Sequence, residues 1–437
     1  MDYLRGLLGI AFIVAVAWLL SASRKNIDWR LVISGLLLQL VIAVLVLKVT
    51  VVREGFETVG GGFVKFLNFG LEGAAFLFGD LARNSDAVAG ARHNLGFLFA
   101  FQALPVLIFF SAVTSGLYYL GILQKLVHVF AWIMAKTMRL SGAESLSAAG
   151  NIFMGQTEAP LLVKPFIGRM TNSELHCLMT GGMATIAGSV MGAYITFLGG
   201  ADPEQATKFA TYLLCASIMN APAAIVMSKI FMPETEPEKI DRTLKVNKES
   251  IGSNVVDALA TGASDGLKLA LNVGAMLLAF IAVIYAVNWM LVDGIGSWTG
   301  LNAWVLSSTN GAFDGFSLQY IFGQLFRVFA FFMGVDWAES VQVGSLLGQK
   351  MVINEFVAYL SLSDMKSAGL LSEKSIIIAT YALCGFANFS SIAIQIGGIG
   401  GMAPSRQGDL SKLGPRALLA ASLATMLSGT IAGALFA

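Results

Sequence analysis

Long uncharged apolar runs alternate with short polar stretches along the chain. Six of the runs are long enough to cross the ~30 Å hydrocarbon core of a bilayer as a helix. They occupy residues 6–23, 31–47, 94–124, 175–201, 209–228 and 269–292. Two mixed stretches, 52–92 and 120–140, place charges between apolar positions, which favours amphipathic helices at the membrane surface. The pattern predicts an all-α polytopic membrane protein with about eight transmembrane helices and several interfacial amphipathic helices.

The composition agrees with this class. Of the 437 residues, 56% are hydrophobic and 13% are charged, whereas soluble domains carry about 25% charged residues. The net charge of +1 argues against nucleic acid as a partner. Arg5 alone precedes the first apolar run, whereas Arg24, Lys25 and Arg30 follow it. The positive-inside rule therefore predicts an N-terminus outside the membrane and a first loop in the cytoplasm.

The segment 150–165 interrupts the apolar pattern with polar side chains and helix breakers. It carries Asn151, Gln156, Thr157 and Glu158, together with two prolines. Polar groups and broken backbone at membrane depth persist only where they are buried in protein or line a watery cavity. An intramembrane carboxylate is therefore a candidate for function, and this segment is predicted to be a re-entrant hairpin.

The second half of the chain repeats the order of elements in the first. The tripeptide Ala-Glu-Ser opens a weakly polar run in each half, at 143–145 and at 338–340. A Ser-Glu pair then precedes a broken helix in each half, at 173–174 and at 372–373. Paired interrupted segments in two halves are typical of a transporter with a binding site near the bilayer midplane. The sequence thus predicts an inverted repeat in which two re-entrant hairpins and two broken helices converge.

The polar residues of these segments suit a flat heterocycle on one side and a sugar on the other. The Gln156 amide presents an acceptor and donors side by side, which matches an imide or amide edge. The Glu355 carboxylate, if ionised, accepts hydrogen bonds from vicinal hydroxyls. Hydroxyl, amide and aromatic groups complete the set at Thr157, Phe386, Asn388 and Ser391. In the structural alternative, Gln156 and Thr157 merely cap half-helices.

Three motifs carry a resemblance to a known family. They are GNIFMGQTEAPLLVKPF (150–166), VINEFVAYL (352–360) and CGFANFSSIAIQIGGIG (384–400). They resemble the signatures of the concentrative nucleoside transporters, in the compact bacterial form. The resemblance implies a secondary active transporter that imports nucleosides by sodium symport. It further implies a homotrimer in a bacterial plasma (inner) membrane, with a transport domain that carries the site past a scaffold in an elevator-like, alternating-access cycle.

The same resemblance implies a role for individual residues. The nucleobase would be bound by Gln156, Thr157, Glu158 (acting through water) and Val190. The ribose would be bound by Glu355, Asn388 and Ser391. The sodium ion would be bound by Asn151, Thr185 and the backbone carbonyls of Met154 and Ile186. Because Thr185 stands where sodium-coupled bacterial relatives often carry serine, a proton-coupled symporter is an alternative.

The resemblance also suggests a division of the chain. Residues 1–140 are predicted as mainly scaffold and interfacial helices, 141–231 as the first transport repeat, 232–335 as a linker with interfacial and scaffold helices, and 336–437 as the second transport repeat. Within the third part, residues 294–313 are predicted as a loop rich in glycine and serine. Asp265 and Lys268, three residues apart, are predicted to form a surface pair on an amphipathic helix.

Structural roles compete at three of the candidate positions. Asn151 could be the N-cap of a helix. Glu158 and Glu355 could form structural ion pairs with Lys164 and Lys350. These alternatives stay open on the sequence alone.

Two further classes of function are weaker. A membrane enzyme would use the two carboxylates on a glycosidic bond, but no nucleophile with a base and no metal-binding cluster is visible in the sequence. A channel would need a continuous polar lining rather than two isolated polar patches. Saturable uptake of an intact substrate against a gradient separates a transporter from both.

Overall fold

The computed structural model describes residues 2–83, 98–200, 202–243 and 252–436, and the secondary structure in these ranges is entirely helical. The α-helices are α1 (Asp2–Leu19), α2 (Trp29–Lys48), α3 (Thr50–Phe78), α4 (Phe99–Gln102), α5 (Leu104–Tyr119), α6 (Ile122–Met138), α7 (Gly142–Gly150), α8 (Lys164–Ile167), α9 (Asn172–Ala184), α10 (Gly188–Gly199), α11 (Pro203–Phe231), α12 (Val255–Asn288), α13 (Ser297–Thr299), α14 (Leu301–Ser308), α15 (Leu318–Phe332), α16 (Ser340–Val352), α17 (Glu355–Ser367), α18 (Glu373–Leu383), α19 (Phe389–Met402) and α20 (Gln407–Leu435). The prediction of an all-α membrane protein is confirmed.

Several of these helices have the length and composition of membrane spans. Within the described ranges, 6 helical stretches meet both criteria. They are Trp29–Lys48, Phe99–Tyr119, Asn172–Gly199, Pro203–Phe231, Val255–Thr299 and Pro404–Leu435. Three shorter apolar helices accompany them, at Tyr3–Leu19, Leu318–Phe332 and Phe389–Met402. The exact number of spanning helices, about eight by the sequence pattern, stays a prediction.

The helices that carry the polar segments begin at side-chain caps. Ser141 and Glu144 form a reciprocal capping box at the start of α7, with both hydrogen bonds 3.1 Å long. Thr171 and Glu174 repeat this arrangement at the start of α9. In the second half, single caps precede three helices: Asn354 before α17, Ser372 before α18 and Asn388 before α19.

The first hairpin, residues 141–167, has an irregular tip. Its descending arm is α7, and its returning arm is a 3-10 helix (Ala159–Val163) followed by α8. Pro160 and Pro165 lack the N–H that a regular helix requires, which disfavours a continuous α-helix in this arm. The arms touch at Gly150, where an added Cβ would lie 2.6 Å from Leu162 Cδ1.

The second hairpin, residues 339–367, is regular. It consists of two 13-residue helices, α16 and α17, joined by residues 353–354. The Ser361 hydroxyl donates to Gln349 Oε1 across the arms at 2.7 Å. Each hairpin is therefore closed by its own internal contacts.

The two broken helices meet at their breaks. The α9–α10 break spans 185–187 and the α18–α19 break spans 384–388. The Phe386 N–H donates to the Thr185 carbonyl at 3.2 Å. An added Cβ at Gly385 would lie 2.6 Å from the Ala184 oxygen, so this approach requires glycine.

Two sets of long helices surround this centre. In the first, α11 and α20 pack against each other and against the broken helices, and α1 and α2 pack on their outer side. An added Cβ at Gly35 of α2 would lie 2.3 Å from Val226 of α11. In the second set, α12 lies along α5, and a Cβ at Gly266 would come within 2.7 Å of Ile108. Helices from residues 1–140 therefore belong to both sets, α1 and α2 to the first and α5 to the second. The predicted division into domains stays a prediction.

One sequence-based expectation is wrong. The predicted loop at 294–313 is largely helical, since a π-helix (Trp289–Gly296) continues α12 and is followed by α13 and α14. Glycine stops only one helix there, at Gly300 with φ of 74°. The two predicted amphipathic stretches correspond to α3 and α6. Residues 84–92 of the first stretch, and 244–248 of the linker, lie outside the described residues.

Candidate functional site

A cavity of about 520 Å³ opens where both hairpin tips, both helix breaks and α12 come together. Its walls include all eight residues that the sequence predicted for the substrate: Gln156, Thr157, Glu158, Val190, Glu355, Phe386, Asn388 and Ser391. Segments that lie more than 200 residues apart in the chain therefore share one cavity.

The Glu355 carboxylate is buried, with 2% of its residue surface exposed. Its Oε1 accepts from the Tyr194 hydroxyl at 3.1 Å, and its Oε2 accepts from Asn388 Nδ2 at 2.9 Å. A carboxylate offers about four acceptor positions, so it can accept further hydrogen bonds from a ligand. The Lys350 ammonium donates instead to the Ala382 carbonyl and the Thr425 hydroxyl. The hydrogen bonds of Glu355 therefore do not depend on the ion pair that the sequence allowed.

Asn388 connects Glu355 to the broken helix. Its Oδ1 accepts from the Ser391 N–H at 2.9 Å, which caps α19, and from the Ser390 hydroxyl at 2.6 Å. The Ser391 hydroxyl accepts in turn from Gln156 Nε2 at 3.1 Å. A continuous polar strip thus runs from the second hairpin to the first.

Gln156 is held by a residue that the sequence analysis did not select. Gln395 of α19 is fully buried, and its Nε2 donates to Gln156 Oε1 at 3.2 Å and to the Met179 carbonyl at 3.1 Å. The Gln156 side chain bonds to side chains of α19 rather than to a helix end, so the capping alternative for it is wrong. Gln395 lies inside the motif at 384–400, and a glutamine in an uncharged helix was the signal by which the sequence could have indicated it.

The remaining residues of the first hairpin tip shape the cavity wall. Glu158 is half-buried, and its Oε2 accepts from the Gly155 N–H at 2.8 Å, which closes the turn of the tip. Thr157 packs against α19, where an added Cβ at Gly398 would lie 3.0 Å from its methyl group. Val190 is buried and Phe386 is half-buried, and both supply apolar surface. This combination can hold a flat ring whose edge forms hydrogen bonds.

The helix α12 forms the opposite wall, which the sequence did not predict. Lys268 and Asp265 form an ion pair of 3.1 Å with side chains 73% and 61% exposed, as expected for the predicted surface pair. Both residues also line the cavity, together with Asn272. The wall made by the hairpins and broken helices is therefore largely buried and internally bonded, whereas the charged pair on the α12 wall is exposed.

Asn151 lies behind the tip of the first hairpin. It is the C-cap of α7, so the alternative that it is an N-cap is wrong. The residue is 0% exposed, and within the described part of the chain neither its Oδ1 nor its Nδ2 has a hydrogen-bond partner. A buried amide without partners is costly unless a ligand or water satisfies it.

The other predicted sodium ligands lie beside the same tip and in the adjacent break. Thr185 and Ile186 lie between α9 and α10, and Met154 lies in the tip; all three are buried. The Thr185 hydroxyl donates to the Gly181 carbonyl at 2.9 Å and keeps its lone pairs for a cation. An added Cβ at Gly181 would lie 3.1 Å from Asn151 Nδ2, so the amide faces the last turn of α9. Neutral oxygen donors and an unpartnered amide fit a small hard cation such as sodium.

Comparison with protein families gives three matches along the chain. The model described as Na+ dependent nucleoside transporter N-terminus matches residues 8–81, and the corresponding C-terminus model matches residues 212–433. Between them, the Gate model, described as nucleoside recognition, matches residues 100–201. The Gate match contains the first hairpin and the first broken helix.

Individual proteins agree with these matches. The chain is 43% identical to an uncharacterized transporter of Haemophilus influenzae over 99% of this chain and 98% of that protein. It is 38% identical to sodium/nucleoside cotransporter 2 of Rattus norvegicus, over 98% of this chain and 62% of that protein. The structure of CNTnw in an inward-facing substrate-bound state is 39% identical and has a TM-score of 0.86, covering 100% of this chain and 98% of that one. The chain is a membrane transporter rather than an enzyme, and it belongs to the Na+ dependent nucleoside transporter family.

Proposed function

We propose that this protein imports nucleosides by sodium symport across a bacterial plasma membrane, with uridine-like nucleosides as the first substrates to test and purine nucleosides as the second. The observation that carries the proposal is the cavity itself. It joins a hydrogen-bonding edge at Gln156 to a buried acceptor at Glu355, and it lies beside the unpartnered amide of Asn151.

In this proposal the ribose binds at the second hairpin. The free acceptor positions of Glu355 take the two vicinal hydroxyls, and Asn388 and Ser391 add donors and acceptors. The existing hydrogen bond from Tyr194 to Glu355 holds the carboxylate in place before the sugar arrives. A preorganised acceptor reduces the entropy lost on binding.

The nucleobase binds at the first hairpin. Gln156 is fixed by Gln395, so its amide presents a defined edge, and Thr157 adds a hydroxyl. Glu158 contacts the base through water. Val190 and Phe386 pack against the faces of the ring, which explains why both line the cavity without forming part of the polar strip.

Sodium and nucleoside are coupled through the first hairpin tip. Asn151 and the Met154 carbonyl precede Gln156 by only a few residues in the same irregular turn. A cation held there, with Thr185 and the Ile186 carbonyl, orders the turn that presents Gln156. Because such coupling is reciprocal, sodium increases nucleoside affinity and nucleoside increases sodium affinity by the same factor.

The site moves by an elevator-like, alternating-access mechanism, in a homotrimer. The cavity lies between the hairpins and broken helices on one side and α12 on the other, so a displacement of one set past the other exposes it to a new side. Structures of CNTnw in inward-facing and outward-facing states support this proposal by similarity.

Uptake into proteoliposomes tests the proposal. Purified protein is reconstituted, and labelled uridine is supplied with an inward sodium gradient, an inward proton gradient, or neither. We expect concentrative, saturable uptake with the sodium gradient alone, and intact uridine inside the vesicles. Lys412→Ala, at an exposed position outside the cavity, is the matched control for reconstitution. Uptake that follows only the proton gradient would instead establish the proton-coupled alternative, with Glu158 or Glu355 as the carrier.

A further inference from the structure

Each hairpin brings a polar side chain to the end of the first half of a broken helix. In the first half of the chain, Asn151 lies against Gly181, in the last turn of α9. In the second half, Lys350 of α16 donates to the Ala382 carbonyl at 2.8 Å, in the last turn of α18. The two repeats therefore place different chemical groups at corresponding helix ends.

The end of a helix is a site for positive charge. Its last carbonyls lack partners within the helix, and the aligned peptide dipoles give it a partial negative charge. At α9 the group supplied by the hairpin is the neutral Asn151 amide, which has no hydrogen-bond partner among the described residues. At α18 it is the Lys350 ammonium, which is 3% exposed.

The hydrogen bonds of Lys350 resemble the coordination expected of a small cation. Its ammonium donates to the Ala382 carbonyl and to the Thr425 hydroxyl of α20, both at 2.8 Å. Both acceptors are neutral oxygens. The carboxylate of the same hairpin, Glu355, accepts instead from Tyr194 and Asn388.

The other buried lysine of the two repeats behaves differently. Lys229 of α11 forms an ion pair with the Glu144 carboxylate, which is also buried, and donates to Ser173. The charge of Lys229 is thus balanced by the carboxylate of Glu144, in the same repeat. Lys350 instead donates to neutral oxygens, one of them the Ala382 carbonyl at the end of a helix, where a bound ion would lie.

We propose that Lys350 is a tethered cation that takes, in the second repeat, the place that sodium takes in the first. The nucleoside would then be carried with a single sodium ion, because only one of the two equivalent helix ends needs a mobile cation. This inference rests on the proposed sodium symport and adds the ion stoichiometry to it.

The flux ratio of the wild-type protein is the first test. Labelled sodium and labelled uridine are measured in the same proteoliposomes, and we expect one sodium ion per uridine. A ratio of two in the wild-type protein overturns the inference while the sodium symport stands. Uridine uptake that ignores sodium altogether overturns the proposed function instead, so the two failures are distinguishable.

Two substitutions of the lysine provide the second test. Lys350→Ala leaves space for a free cation among the same oxygens, whereas Lys350→Met fills that space without a charge. We expect both variants to lose about tenfold in uptake, the scale of a charge lost from a helix end. Added sodium or methylammonium should restore Lys350→Ala by several-fold and leave Lys350→Met unchanged.

Thermal stability gives a readout that does not depend on transport. The unfolding midpoint of each purified protein is measured in sodium and in choline. Lys350→Ala should gain more stabilisation from sodium than wild type does, and Lys350→Met should not. If the two variants respond alike to every cation, or if both transport as wild type does, Lys350 does not stand in for an ion and the inference is wrong.

Discussion

The two hairpins have the same position in the repeat but different construction. The first has a nine-residue helix, an irregular tip and a returning arm that contains Pro160 and Pro165. The second has two regular helices and a tip capped by Asn354. Irregular backbone exposes carbonyls that can coordinate an ion, whereas a capped tip directs a side chain, here Glu355, into the cavity. The difference indicates that the two halves of the chain share the order of their segments while each half provides its own chemistry.

The open end of each hairpin, opposite its tip, is called here its base, and the two bases also differ. Glu144 lies at the base of the first hairpin and Glu339 at the base of the second. Glu144 forms an ion pair with Lys229, and side-chain exposure is only 2% and 7% for the two residues. Lys229 also donates to Ser173 at the start of α9, so the base of the first hairpin is attached to the first broken helix. In the second half, Glu339 accepts directly from the N–H and the hydroxyl of Ser372, at an exposed position. The same attachment is thus made by buried charges in one repeat and by surface hydrogen bonds in the other.

The largest effect is expected at the buried base. Glu144→Ala leaves the Lys229 charge buried without its main partner and removes the α7 capping box, so the protein should be destabilised by about 3 kcal/mol or more. Glu339→Ala removes exposed contacts and should cost at most about 1 kcal/mol. The measurement is the thermal unfolding midpoint of the purified variants in detergent.

A double variant separates charge from packing. Replacing both members of a buried ion pair by apolar residues removes the desolvation cost of both charges. Glu144→Leu with Lys229→Met should therefore be more stable than Glu144→Ala. If Glu144→Ala and Glu339→Ala lower the unfolding midpoint equally, the two bases do not differ in their contribution to stability.

The second effect compares the carboxylates of the two tips. Glu355→Gln removes a charged acceptor for sugar hydroxyls, where each charge-assisted hydrogen bond contributes about 1.5–3 kcal/mol. Uridine binding should therefore weaken by tenfold or more. Glu158→Gln should weaken it by about threefold, because Glu158 is half-buried and, in the proposed binding mode, reaches the base only through water.

Calorimetry on folded variants measures both affinities. 2′,3′-Dideoxyuridine is the matched ligand, since it lacks the hydroxyls assigned to Glu355. Glu355→Gln should bind this analogue about as well as wild type does. If Glu355→Gln binds uridine with wild-type affinity, the assignment of the ribose to the second hairpin is wrong.

The sequence was sufficient to predict the tips and the breaks, but not the contacts behind them. Polar residues such as Glu158 stand out because they interrupt apolar runs with glycine or proline nearby. Tyr194 and Gln395 do not stand out, since a single such residue also fits an interfacial or core position. Their partners, Glu355 and Gln156, are 161 and 239 residues away in the chain. Only the tertiary structure shows which apolar helices meet at the site.

Glycine was the least reliable signal in the sequence. At Gly385, inside the second helix break, the glycine allows a close approach, since a Cβ there would strike the Ala184 oxygen. The glycine signal wrongly predicted a loop at 294–313, where the chain remains mostly helical around Gly294 and Gly296. A glycine permits close packing within a helix as well as a turn, and the pattern alone does not separate the two. The exposed wall made by α12 was likewise missed, because its charged pair has an ordinary surface spacing.

A smaller effect is expected for the cation at the first tip. Asn151→Ala removes one neutral oxygen from the proposed sodium shell, together with a buried amide that has no hydrogen-bond partner among the described residues. The sodium concentration for half-maximal uridine uptake should rise by about fivefold, the scale of one ordinary net hydrogen bond of about 1 kcal/mol. At saturating sodium the half-saturating uridine concentration should change much less.

An exposed asparagine supplies the control for that measurement. Asn172→Ala, at the start of α9, changes the same chemical group on the surface and should leave the sodium dependence unaltered. If Asn151→Ala also leaves it unaltered, the amide is not a sodium ligand. A fall in protein stability without a change in sodium dependence would assign Asn151 a structural role.

The smallest effect is expected on the α12 wall, which completes the contrast between buried and exposed parts of the site. Lys268 and Asp265 are 73% and 61% exposed, and an exposed pair three residues apart contributes only about 0.3–0.5 kcal/mol. Lys268→Ala should therefore change the half-saturating uridine concentration by about twofold at most, and raising the salt concentration should reduce the difference further. Initial rates of labelled uridine uptake at two concentrations of choline chloride, with sodium held constant, measure both quantities. A tenfold change would mean that α12 binds the nucleoside directly during part of the cycle, and that recognition is shared between both walls of the cavity.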